Sequence, residues 1–310
     1  MHTFLKSNSL LLASFALTAP LSAQSESVLD QLSQDLHNPE KYSLSAIEEE
    51  ALFAPASDGD SDLGEQLILR RPNKKGSILA SWDTHLIHSN NITNSDTNTS
   101  SGFLFNSRLN VGWIRPINDN LFVSLSATES VYHYETQNDL DFWNTRASAG
   151  IVKIFSEHDI VFTADIVHNY ARRNLISDKI HSITSLRLGA SRTFFINPDT
   201  SAFVGIDLGF DLESSSVSAE RNEYTLRLGY SKRLTEKLTA TFFGDISNYD
   251  YELNDRSDTN YAVGVSLEYG ITSNITAFSS FTYVNNDSDQ AGFDYSTTLG
   301  SIGVGLKASF

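Results

Sequence analysis

Ser301-Ile302-Gly303-Val304-Gly305-Leu306-Lys307-Ala308-Ser309-Phe310 alternates without a break. Ile302, Val304, Leu306, Ala308 and Phe310 share one face, and Ser301, Gly303, Gly305, Lys307 and Ser309 share the other. A period of two puts successive side chains on opposite faces of a β-strand. This strand therefore has one continuous apolar face and one small, polar face, and it ends on an aromatic residue.

The same pattern recurs upstream. Strands are predicted near 77–88, 102–115, 121–134, 142–155, 160–171, 180–194, 201–213, 222–234, 238–251, 260–270, 275–285 and 295–310, about twelve in all. Their connections fall into two alternating classes. Pro116–Asn120, Ser156–Asp159, Ile196–Thr200, Thr235–Lys237 and Ile271–Asn274 are short and built of turn residues. Between them lie longer polar loops at 89–101, 135–141, 172–179, 214–221, 252–259 and 286–294. Alternating short and long connections and an even strand count are the pattern of a transmembrane antiparallel barrel, with turns in the periplasm and loops outside. The fold expected is all-β: a transmembrane antiparallel β-barrel of about twelve strands.

Parity assigns the two faces. Ala202, Val204, Ile206, Leu208, Phe210 and Leu212 alternate with Gly205, Asp207, Gly209, Asp211 and Glu213. The first set suits lipid and the second a polar interior. Tyr261, Val263, Val265, Leu267 and Tyr269 repeat the outward pattern. At the usual strand rise and tilt, Tyr261 and Tyr269 stand roughly 21 Å apart along the normal, close to the spacing of two aromatic girdles. Trp82, Trp113, Trp143, Tyr224 and Tyr230 are outward by the same rule. Inward parity falls on Arg108, Arg146, Arg187 and Arg227 on descending strands, and on Asp165, Asp207 and Asp245 on ascending ones. Glu268 is also inward. These charges either pair and fill the barrel or stand apart across a water-filled pore. Gly189, Gly205, Gly209, Gly229 and Gly264 beside them are expected to leave room inside.

Residues 1–23 read as a secretory signal peptide: Lys6 is basic, Leu10–Leu17 is apolar, and Leu21-Ser22-Ala23 is a cleavage site. Residues 24–76 form an acidic periplasmic segment, with Val28, Leu32 and Leu36 at helical spacing over about 26–36. Asp58-Gly-Asp60-Ser-Asp62 is faintly like a calcium loop but lacks its glycine and terminal glutamate. The barrel is assigned to 77–310. No run approaches the eighteen apolar residues of a spanning helix. The chain has no cysteine, which excludes disulfides and thiolate metal sites. Its net charge is -16, and loss of Lys6, the one charged residue of the signal, makes it -17. That balance argues against nucleic acid as a partner.

The terminal strand, with Gly303, Leu306, Ala308 and Phe310, resembles the signal by which Gram-negative outer-membrane barrels are recognised for assembly. Arg187-Leu-Gly-Ala-Ser-Arg192 and Arg227-Leu-Gly-Tyr-Ser-Lys232 resemble units of the β-barrel porin families of Gram-negative bacteria. The first hairpin, with His88-Ser-Asn-Asn-Ile92 and Leu109-Asn-Val-Gly-Trp113, resembles the opening of the type-2 porins of that group. The resemblance implies an integral protein of the outer membrane. Its expected partners are outer-membrane lipid and lipopolysaccharide, the barrel-assembly machinery and small hydrophilic solutes. The function expected is a porin-like passive channel for such solutes, oligosaccharides among them. The alternatives are a plugged structural or surface-interaction barrel, and a lipid-modifying barrel enzyme.

Chemistry has little support. His85, His88, His133, His168 and His181 are candidate bases, and Ser89 adjoins His88. Adjacent strand residues point to opposite faces, so His88 and Ser89 meet only if the strand ends before them. No spacing supports a metal site. Asp287, Asp289 and Asp294 read as a solvated loop rather than a site for cations bridging lipopolysaccharide. No enzyme activity and no cofactor are expected. Replacing Phe310 with Asp is expected to impair insertion, because the last strand must close the barrel. Heat-modifiable mobility and outer-membrane yield measure it.

Overall fold

The protein is seen in a computed structural model that describes residues 76–309, except 98, 137–139, 156–157, 175–178, 216–218 and 253–254. The signal peptide, the segment before Gly76, its helix and calcium-like run, and Phe310 lie outside the described residues. Twelve strands follow in order: β1 (Ser77–Ser89), β2 (Gly102–Asn118), β3 (Leu121–Tyr134), β4 (Phe142–Phe155), β5 (Ile160–Arg172), β6 (Lys179–Asn197), β7 (Thr200–Ser214), β8 (Arg221–Arg233), β9 (Leu238–Tyr251), β10 (Ser257–Gly270), β11 (Ile275–Ser288) and β12 (Tyr295–Ser309). Each pairs antiparallel with its neighbours, and β12 pairs with β1, so the barrel is closed. One end carries the tight turns and the other the longer loops.

The alternation seen in the sequence sets the two faces. Trp82, Leu109, Ile206, Tyr230, Val263 and Ile302 point outward and are exposed, as a lipid-facing surface requires. Asp83, Arg108, Ser185, Asp245, Ser266 and Ser301 alternate with outward residues, point inward and are buried. The strands are also staggered. Register partners lead from Ser77 through Ile114, Ser124, Gly150, Asp165, Arg187, Gly209, Glu223, Tyr249 and Asp258 to Ser288. A row that begins at the turn end of β1 thus finishes at the loop end of β11. This is the tilt that barrel closure demands.

Four strands run three residues further at one end than the alternation predicts. β2 reaches Asn118, β6 reaches Asn197, β10 starts at Ser257 and β11 ends at Ser288. Backbone pairing does not need an alternating apolar face, and polar pairs hold the loop ends of β10 and β11. Ser288 Oγ donates to Asp258 Oδ1 at 2.6 Å, and Asn286 Nδ2 donates to the Phe293 carbonyl at 3.0 Å.

The closing seam rests on one glycine. Gly303 of β12 lies between Phe278 of β11 and His85 of β1, opposite each in register. The Phe278 ring lies across it and reaches the His85 ring at 4.4 Å between centroids. A Cβ on Gly303 would strike both the Phe278 ring and the Thr84 carbonyl oxygen of β1. The aromatic ring covers the gap left by a missing side chain on the neighbouring strand. Gly303→Val should therefore destabilise the folded barrel by about 1–3 kcal/mol, the usual cost of overpacking. A denaturant titration followed by heat-modifiable mobility measures it.

Candidate functional site

The candidate site is the lumen, and its two halves differ. At the loop end the inward side chains have lost contact with water. Ile87, Leu104, Tyr132, Tyr134, Phe142, Val284, Tyr295 and Leu299 all face inward there and form one packed apolar cluster. At the turn end, inward Ser126, Ser148, Thr163, Thr239 and Thr241 remain partly accessible, and Lys307 is exposed. Apolar packing between lumen-facing residues excludes water as it does in a soluble core. The loop half is closed by this cluster, whereas in the turn half partly accessible polar side chains stand among buried Phe122, Phe243 and Ser266.

The loop after β1 joins the seal. Ile92 packs into the apolar cluster. Its backbone N–H donates to the Ser100 carbonyl at 2.6 Å. Asn90 and Asn91 anchor it to β12: Asn90 Oδ1 accepts from the Thr298 N–H at 2.7 Å, and Asn91 Nδ2 donates to the Ser296 carbonyl at 3.0 Å. The loop therefore folds over the mouth rather than away from it.

The charged residues read as inward do alternate with outward ones, but they do not stand in separate basic and acidic rows. The ion pairs seen among Arg108, Arg187, Arg227 and Asp207 join adjacent or next-adjacent strands of the wall. Arg108 on β2 lies opposite Asp83 on β1 and donates to both its carboxylate oxygens at 3.2 Å. His85 Nε2 lies 2.9 Å from the same carboxylate. Arg187 on β6 passes over Gly209 on β7 and pairs with Glu223 on β8. Arg221 donates to Glu223 at 2.6 Å and stacks over the Tyr249 ring at 4.3 Å. Arg227 pairs with Asp207 at 3.5 Å, while Asp245, buried, faces Arg227 in register. Asp165 lies against Gly150, its partner in register, with Arg187 opposite on the other side. Arg146 lies on β4, inward, opposite Thr128 and Asn169. Glu268 on β10 is half-buried between Thr239 and Phe278.

One expectation is corrected here. Gly205 has only ordinary contacts and Gly189 meets Thr163, but three glycines expected to leave room do not: Gly209 is filled by Arg187, Gly229 by Phe203 and Gly264 by Phe243. Each lets a longer side chain lie flat on the wall. His88 and Ser89 do not meet, as the alternation implies for residues on one strand. β1 continues through Ser89, so His88 is outward and edge-on to Phe103 while Ser89 is buried inward, 2.9 Å from Thr297 Oγ1. His168 is also outward, on Thr184 Oγ1 at 2.9 Å, and His133 is outward on Asp141 at 2.6 Å. Of the assembly-signal residues, Gly303 faces inward and Leu306 is exposed outward.

The sequence reading did not single out Asp83, Arg221, Glu223, Arg256 or Asp258. Parity marks Asp83, Glu223 and Asp258 as inward, but which base each meets depends on the stagger. Arg256 lies before β10, and its guanidinium is sandwiched between the Tyr251 and Phe293 rings, 3.6 and 4.0 Å from their centroids.

A sequence profile of the family described as Putative beta-barrel porin 2 matches residues 122–308, more than half of the chain. The chain belongs to this family. No curated protein matches it. Similar solved structures include the outer membrane channel of Pseudomonas putida F1, 9% identical with a TM-score of 0.48 over 75% of this chain and 95% of that one. The KdgM porin is 11% identical, with a TM-score of 0.40 over 72% and 98%. The translocator domain of the autotransporter NalP from Neisseria meningitidis is 14% identical, with a TM-score of 0.40 over 89% and 97%. At such identities the likeness is one of barrel architecture alone.

Glu223 takes both Arg187 and Arg221, so it is the member the cluster can least lose. Glu223→Gln removes the carboxylate that Arg187 and Arg221 share and should cost about 3–5 kcal/mol, the usual penalty for breaking a buried pair on one side. Arg187→Gln leaves the Arg221–Glu223 pair intact and should cost less. Equilibrium unfolding of both variants tests the order.

Proposed function

We propose that this porin-family barrel is a passive diffusion channel of the outer membrane for small hydrophilic solutes, held closed at its outer end. In this reading the turn end faces the periplasm, with residues 24–76, and the loop end faces outward. The observation that carries it is the inward wall of the turn half, where Ser126, Ser148, Thr163, Thr239 and Thr241 are polar and partly accessible, with the partly accessible Arg227–Asp207 pair midway along the barrel. A wall of this kind offers a hydrated path, and its fixed charges act on a permeating ion. The packed cluster around Ile87, Tyr132 and Val284 with Ile92 supplies the closure. No reaction is assigned to the chain, since His88 and Ser89 point to opposite faces.

The seal also favours a second reading, a barrel permanently filled at its loop end that serves as a structural or surface-interaction protein. Single-channel recording in planar bilayers separates the two. Deleting residues 91–100 removes Ile92 and the strap, and should raise conductance several-fold above the wild type. Silence in both proteins would favour the filled barrel. In the conducting form, Arg227→Gln frees the accessible Asp207 of its partner and should move the reversal potential toward cation preference.

A further inference from the structure

The inner side of the turn end leaves one large side chain uncovered. Phe195 is 79% exposed, more than any other large hydrophobic residue described. It lies two residues from Thr193, whose partner in register is Phe203, the ring that lies inside the barrel on Gly229. Phe195 therefore points to the inner side, where lipid cannot cover it. Phe194 and Ile196 point outward and are also exposed.

The backbone there is uncovered as well. On the β7 side the pairing of β6 continues to Asn197, but on the β5 side it stops at Arg192, opposite Ile160. Residues 193–197 thus have a strand neighbour on one side only. An exposed edge with apolar residues on both faces is a template for a further strand. Arg192, at the start of this edge, lies over the Phe194 ring at 4.7 Å and pairs with no acid among the described residues.

The chain itself supplies a fitting segment. Residues 24–75 join the barrel at Gly76, at the turn end of β1. Within them Glu65-Gln-Leu-Ile-Leu-Arg-Arg71 brings three consecutive large aliphatic residues between an acid and a base. Laid parallel to β6 with Ile68 opposite Phe195, it puts Leu67 and Leu69 beside Phe194 and Ile196 on the outer face. It also puts Glu65 at Arg192 and Arg71 near Asp199. The reverse direction would set Arg71 against Arg192 and Glu65 near Asp199, like on like, which a sheet disfavours. The reach agrees. Five inter-strand steps of about 4.8 Å separate β1 from β6, roughly 24 Å across the strands, and the eight steps from Leu69 to Ser77 extend to about 27 Å.

We infer that Gln66–Leu69 of this chain docks as an added strand on the turn-end edge of β6 and covers Phe195. The inference needs neither conduction nor a particular orientation of the barrel in the membrane.

The chain has no cysteine, so an introduced pair reports proximity directly. The full mature chain carrying Ile68→Cys and Phe195→Cys is oxidised in detergent micelles, and the disulfide within one chain is read by non-reducing mobility and mass spectrometry. It should form roughly tenfold faster than in the chain carrying Ile68→Cys and Leu234→Cys. Leu234 is also exposed, in the turn between β8 and β9, and β9 is four steps from β1 the other way round the ring. A second measurement labels the single Phe195→Cys variant with a charged thiol reagent. Adding Ile68→Asp should speed labelling about tenfold, whereas adding Phe53→Asp should leave it unchanged. Heat-modifiable mobility confirms that each variant is folded. Equal oxidation of the two pairs, or labelling that Ile68→Asp leaves unchanged, would overturn the inference. So would a disulfide between two copies of the Phe195→Cys variant in place of the one within a chain, which would assign the edge to a second barrel.

Discussion

Everything in this molecule depends on the hydrogen-bonded closure of β12 onto β1. A sheet edge in hydrocarbon would leave a row of backbone N–H and C=O groups unsatisfied, at several kcal/mol each, so the sheet must meet itself. Closure over twelve strands requires tilt, and tilt produces the stagger that carries a register row from the foot of β1 to the top of β11. It also fixes parity for the whole chain. Once β12 is in register with β1, no strand can slip by one residue without turning its apolar face into the lumen. The seam is correspondingly tight: Phe278 lies over Gly303 onto His85, and no side chain fits beneath it.

The stagger decides where the charges meet. Arg187 faces Asp165 directly in register, yet its guanidinium runs the other way, over Gly209, to Glu223 on the strand beyond. A glycine on the intervening strand makes that reach possible. The same device lets Phe203 lie on Gly229 and Phe243 on Gly264. Small residues on the inner wall thus organise longer neighbours along it. The lumen is shaped by side chains that lie flat over its glycines and, at the loop end, by side chains that project and interlock.

Most of the fold was legible in the sequence because a period of two in a closed sheet is a complete description of the faces. Strand number, the alternation of turns and loops, and the inward direction of Arg108, Arg187, Arg227, Asp207 and Asp245 all follow from it. Three things did not. The partners of those charges depend on register between strands remote in sequence, as Arg187 and Glu223 show. The seal was hidden because inward positions were expected to be polar, whereas Leu104 lies between outward Phe103 and Phe105 and is itself buried inside. Local alternation weakens there because both faces are apolar. The fold of the loop through Ile92 depends on Asn90 and Asn91 meeting β12, more than two hundred residues away.

The central claim is that the lumen is more accessible in its turn half than in its loop half, which the apolar cluster closes. The chain has no cysteine, so single cysteines report cleanly. Strand β9 offers three positions: Thr241 inward in the turn half, Ser247 inward and fully buried in the loop half, and Ile246 outward. The most direct measurement is the labelling rate of each cysteine by a small, charged thiol reagent, with the protein reconstituted in bilayers. Fast labelling at 241, with 247 and 246 both protected, is the predicted result. Labelling at 247 as fast as at 241 would mean an open lumen throughout, and would contradict the account.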